Sequence, residues 1–161
     1  MKKTITIILL LLLFVARISS AANLTFHGEL IVDADMGCEI NGGHTLEVYF
    51  GTIISDKIDG VNYSTDIPWE IECHDDPVHK ETLTLQYLGT ATSFTSDAIS
   101  TSLDGLGIVL QQNGEIFHPG DSIVIDEDSP PTLKAVPIKQ PGKKLAEGSF
   151  EAYAALLLDY L

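Results

Sequence analysis

The sequence predicts an all-β protein, a sandwich of short antiparallel strands in one domain. Three observations predict it. Apolar residues fall into many short runs, several alternating with polar residues at period two, the pattern of strands that bury one face. Turn-forming pairs separate the runs, at Asn113-Gly114, Pro119-Gly120, Pro130-Pro131 and Pro141-Gly142. No stretch of useful length carries the spacing of an amphipathic helix.

Taken in order, the first strand candidate covers residues 24–32, where Leu24, Phe26, Leu30 and Val32 share one face with Gly28. A glycine weakens an ordinary strand. It fits a place where two backbones approach closely, or else a bend. The second candidate, 45–50, follows the turn Asn41-Gly42-Gly43. The third, 67–73, alternates Ile67, Trp69, Ile71 and Cys73, and Trp69 is expected in the core. Runs over 82–87, 106–110, 122–125 and 133–138 complete the series.

The final segment, 148–161, is ambiguous. Its alanine and leucine content favours helix. Drawn as a strand, it puts Phe150, Ala152, Ala154, Leu156, Leu158 and Tyr160 on one face, with Glu151 and Asp159 both pointing away, which favours strand. A closing apolar strand with nothing after it to pair with is an open sheet edge, and open edges recruit other chains.

Residues 1–21 are expected to be a targeting leader. Lys2 and Lys3 form a basic start, residues 5–16 an apolar run too short to span a bilayer, and Ser19, Ser20 and Ala21 supply small residues for cleavage after Ala21, or alternatively after Ala22. The expected mature chain is exported and long enough for one real core. Losing the leader removes three of nine Lys/Arg and none of 23 Asp/Glu, so the formal net charge moves from −14 to −17. Such a surface repels nucleic acid and anionic headgroups. The two cysteines, Cys38 and Cys73, most simply form one disulfide in an exported chain, the alternative being two free thiols.

Four features carry a family resemblance. The alternating segment 23–32 has a glycine at its middle. Cys38 follows it shortly, and Cys73 ends an alternating run. Val48, Tyr49, Phe50, Gly51 and Ile53 form a strand–glycine motif between the cysteines. Gly148 stands fourteenth from the end and Tyr160 is penultimate. In this order, behind a leader, they resemble the pilin subunits of chaperone–usher bacterial fimbriae, and are similar to the minor subunits of P-type pili.

The resemblance implies an incomplete immunoglobulin-like β-sandwich that lacks its last strand and borrows it from another chain. It divides the chain into a leader (1–21), a donor-strand extension (22–33) and a pilin domain (34–161). Leu24, Phe26, Gly28, Leu30 and Val32 would enter a neighbouring subunit. Gly148, Phe150, Ala152, Ala154, Leu156, Leu158, Tyr160 and Leu161 would border the acceptor groove and meet a periplasmic chaperone, whose basic residues would hold the Leu161 carboxylate. The further partners implied are an outer-membrane usher and neighbouring pilin subunits. The role implied is structural: a non-enzymatic subunit without cofactor, metal or small-molecule substrate, exported through the periplasm into a surface fimbrium, of minor or adaptor type in cell adhesion. The family's proline before the first cysteine is replaced by an acidic segment containing Asp33 and Asp35.

Other constellations are weaker. His74, Asp75, Asp76 and His79 have residue types that ligate metals, but in this order they read as a polar loop. Asp121, Asp126, Glu127 and Asp128 lack the spaced, glycine-centred pattern of a calcium loop. No nucleophile elbow or glycine-rich phosphate loop is present. The alternative to a fimbrial role is a self-complete, secreted immunoglobulin-like module that binds carbohydrate or protein.

Overall fold

A computed structural model describes residues 37–74 and 82–160, and all of these belong to one compact unit. The described residues form ten strands: β1 (Gly37–Ile40), β2 (Thr65–Ile67), β3 (Ile71–His74), β4 (Leu83–Gly89), β5 (Ala98–Ser100), β6 (Leu106–Gln112), β7 (Glu115–Phe117), β8 (Ser122–Val124), β9 (Leu133–Lys139) and β10 (Ala154–Tyr160). Two single-turn 3₁₀ helices, Asn41–Gly43 and Ser55–Lys57, are the only helical pieces among the described residues.

Every pairing is antiparallel. One sheet runs β2-β9-β6-β5, with β7 folded back on β6, and the other runs β10-β4-β8. A third, two-stranded piece joins β1 to β3. The expected turn at Asn113-Gly114 makes the β6–β7 hairpin, both residues having positive φ (49° and 86°), the conformation a tight two-residue hairpin needs.

The core lies between the two main sheets. Leu83, Leu85 and Tyr87 from β4 meet Ile99 of β5, Ile108 and Leu110 of β6, Phe117 of β7, and Leu133 and Ala135 of β9. The β4 and β9 runs therefore read correctly in sequence. Trp69 is buried as expected, and its indole N–H donates to the Pro131 carbonyl at 3.0 Å. The fold is an immunoglobulin-like sandwich of all-β class.

Two expected strands differ. The run 67–73 is not one strand: it breaks at Pro68, Trp69 and Glu70, β2 joining β9 while β3 crosses to β1. Proline offers no N–H to a ladder, so the chain changes partners there. The segment 45–50 forms no ladder at all, although Leu46, Val48 and Phe50 are half-buried against the core and Thr45, Glu47 and Tyr49 are exposed. Its alternation is that of a strand without a bonded neighbour. The ambiguous closing segment resolves as strand β10. The leader, the 22–33 extension, residues 75–81 with Asp75, Asp76 and His79, and Leu161 lie outside the described residues.

Candidate functional site

β10 sits at the edge of its sheet. It bonds β4 from Ala154↔Gly89 to Tyr160↔Leu83, and among the described residues no strand pairs with its other side. The sequence builds this edge simply. Leu156 and Leu158 are half-buried and pack on the core beside Tyr87 and Leu85, while Ala155, Leu157 and Asp159 face out. The register is held by Thr84, whose hydroxyl donates to the Asp159 carbonyl at 3.1 Å.

Beside this edge opens a cleft of about 1740 Å³. One wall is formed by residues 144–154 with Leu156, Leu157 and Leu158, and the other by the unladdered segment around Leu46, Val48 and Phe50. Its floor reaches the core at Tyr87, Ile108, Leu110 and Ala135. At one point the walls touch: the Phe50 and Phe150 rings lie 5.9 Å apart. Burial pushes the phenol of Tyr87 far up from its ordinary value, so it stays neutral at the cleft floor.

Of the residues expected to border a groove, Gly148, Phe150, Ala152, Ala154, Leu156 and Leu158 all line the cleft. Phe150, Ala152, Leu156 and Leu158 also pack on the core, whereas Ala154 is exposed. Tyr160 ends β10, 40% exposed and outside the cleft lining. Leu24, Phe26, Gly28, Leu30 and Val32 belong to the undescribed extension. Cys38 and Cys73 are disulfide-bonded, directly opposite one another across β1 and β3. The bond ties the start of the domain to β3.

The far wall was not foreseen as part of a site. Its signal was present in the alternation of Leu46, Val48 and Phe50, but alternation reports which side is buried and not whether a ladder forms. On both walls an outward tyrosine binds a glutamate two residues earlier. Tyr49 donates its hydroxyl to Glu47, and Tyr153 donates to Glu151 at 2.8 Å. Both phenols are held above their ordinary values, first by these hydrogen bonds and then by the carboxylate charge. The one cluster of potential metal ligands among the described residues, Cys38, Cys73 and Glu127, has both sulfurs committed to the disulfide.

Comparison with known proteins agrees with this architecture. Residues 24–161 match the family model described as fimbrial protein. The chain is 38% identical over 166 aligned positions to the fimbrial-like protein YfcQ of Escherichia coli (strain K12), with 99% of each chain covered. It is 32% identical over 136 positions to the fimbrial-like protein YfcR of the same strain, covering 81% of this chain and 77% of that one. Among solved structures it is similar to the P pilus rod subunit PapA (TM-score 0.61, 23% identity, 86% of this chain and 100% of that chain). It is also similar to the P pilus adaptor subunit PapF (TM-score 0.59, 22% identity, 78% and 96%). An edge strand beside an open, core-deep cleft in an immunoglobulin-like sandwich, together with a family match from residue 24 to residue 161, places the chain in the fimbrial protein family.

Proposed function

We propose that this subunit polymerises by donor-strand exchange. Its cleft accepts an extended segment from another chain, and its own residues 22–33 enter the cleft of a neighbour. The observation that carries the reading is β10, bonded along one side only among the described residues and bordering a cleft that opens onto the core. An inserted strand would hydrogen-bond to β10 and to the segment around Val48, and its alternate side chains would fill the apolar floor. Such a contact joins unlike surfaces and does not close, so it propagates a filament.

In this reading Leu24, Phe26, Gly28, Leu30 and Val32 form the inserted face, and Gly28 allows close backbone approach. Burying four such apolar side chains contributes on the order of 6–12 kcal/mol before ordering costs. Before assembly a periplasmic chaperone fills the cleft, and an outer-membrane usher carries the exchange. The subunit is structural and without catalysis, of minor or adaptor type in adhesion, and reaches the cell surface through the periplasm.

The test is deletion of residues 22–32. Co-purification with a periplasmic chaperone should persist while incorporation into the neighbouring subunit is lost; loss of chaperone binding instead contradicts the assignment. A processed chain that is a fully stable monomer alone supports the self-complete binding module.

A further inference from the structure

The cleft has a charged rim whose chemistry bears on what it admits. Glu39, Glu47, Asp56, Glu147 and Glu151 contribute five exposed carboxylates to its lining, and Lys144 contributes one ammonium. Two of these carboxylates stand in a repeated arrangement. On one wall Glu47 is bound by Tyr49, and on the other Glu151 is bound by Tyr153. The two tyrosines are 77% and 80% exposed, so their rings are open to solvent. Phe50 and Phe150 meet across the cleft at 5.9 Å, and Tyr49 and Glu151 are their chain neighbours, so one member of each pair lies beside this contact. A carboxylate beside an open aromatic face attracts an ammonium or guanidinium through both charge and ring.

The chain's own extension has the wrong charge for this rim. If Leu24, Phe26, Gly28, Leu30 and Val32 point inward, the alternate positions are Thr25, His27, Glu29, Ile31 and Asp33. They include two carboxylates and no lysine or arginine.

We infer that the rim selects the cleft's occupant by charge. It takes an apolar strand from a different polypeptide that carries lysine or arginine at its outward positions, and it disfavours the acidic extension of a second copy of this chain. The inference rests on the strand-accepting reading above. Like charges across a contact slow encounter and penalise the wrong partner, while opposite charges speed it. The subunit would therefore stand next to unlike neighbours, not in a run of its own kind.

The test uses the purified, processed full chain and two synthetic peptides covering residues 22–33, one native and one carrying Glu29→Lys and Asp33→Lys. Native mass spectrometry follows the appearance of the chain–peptide complex. The lysine peptide should load roughly tenfold faster at low salt. The difference should shrink at high salt and narrow in a Glu47→Gln, Glu151→Gln variant, whose changes are exposed and should spare the fold. Equal loading at low salt, or faster loading of the native peptide, overturns charge selection and leaves strand acceptance standing. A difference undiminished in the double variant overturns the assignment to these two residues. Failure of both peptides to load overturns strand acceptance and the selection with it.

Discussion

The Phe50 and Phe150 rings meet at 5.9 Å with their planes tilted by 41°, and this contact joins two walls that share no ladder. Phe50 belongs to the unladdered segment and Phe150 precedes β10 by four residues. Both pack on the main core, and Phe150 also reaches the smaller cluster of Ile58, Leu106 and Leu145. Tilted aromatic pairs contribute about 0.5–1.5 kcal/mol beyond area burial. Phe50→Ala and Phe150→Ala should each lower stability by roughly 1–3 kcal/mol, less than a fully buried phenylalanine would. A double-mutant cycle by urea denaturation should give a coupling of about 1 kcal/mol. Strict additivity would mean that the walls are independent.

Ile99 fixes how closely the sheets approach beside Gly89. A Cβ built on Gly89 of β4 would lie 2.4 Å from the Ile99 Cγ2. A Cβ on Gly107 of β6 would lie 2.7 Å from Thr92 Cγ2 and 3.3 Å from the Ile99 carbonyl oxygen. Both glycines are present for space. Gly89→Ala should cost about 1–3 kcal/mol through overpacking. Because its obstacle is a side-chain methyl, Ile99→Ala should relieve part of the clash while adding its own cavity cost. A Gly89→Ala variant with unchanged denaturation midpoint would refute the close contact.

The Cys38–Cys73 bond spans a sequence separation of 35 across a ladder of only four residue pairs. Two short strands are marginal on their own, so the covalent link holds β1 in place. For a loop of this length the chain-entropy model gives roughly 3–4 kcal/mol. A Cys38→Ala, Cys73→Ala variant should unfold at clearly lower urea, with the loss similar to that on reduction of the native chain. An unchanged midpoint would show that β1 is secured by packing alone.

The sequence made the long elements legible because their patterns are redundant. β4, β6 and β9 each span seven residues, and their apolar runs are bounded by turns. Asn113-Gly114 marked its turn, and the parity of Leu156 and Leu158 in the closing strand is readable from the sequence whether or not the segment is read as helix. The short elements were not legible. β5 and β7 have three residues each, too few to show a period, and are specified by their pairing to β6. The strand expected at 67–73 failed because Pro68 interrupts a pattern that remains apolar on both sides. At the site, the pattern predicts β10, but it also predicts a strand over 45–50, where the structure has an unladdered wall. Burial of Leu46, Val48 and Phe50 needs only a core beneath them, whereas a ladder needs a neighbour alongside.

Tyr87 makes alkaline stability informative. Its ring is 2% exposed and packs 5.5 Å from Phe117, and burial raises its phenol far above the usual value. The folded chain therefore keeps a proton that the unfolded chain loses above about pH 10. Stability from this group is full below that pH and falls as pH rises towards the folded value, by about 1.4 kcal/mol per pH unit. Tyr87→Phe should flatten that part of the profile measured by urea denaturation between about pH 9.5 and 11.5. An identical slope in the variant would place the titration elsewhere.

β10 should reveal its one-sided bonding in amide hydrogen exchange. In an antiparallel strand successive N–H groups point to opposite sides. Along Ala154–Tyr160, alternate amides therefore face β4, where they are bonded, and the cleft, where no strand pairs with them among the described residues. Exchange in the purified chain should separate into two classes with a period of two residues, slow towards β4 and fast towards the cleft. Central β4 and β6, with ladder partners on both sides, should show no such alternation. Loading the cleft with a strand-forming peptide should slow the fast class selectively, because those amides gain acceptors while the others keep theirs. Uniform protection along β10 before any peptide is added would mean that the edge is already filled, and strand acceptance would lose its physical basis.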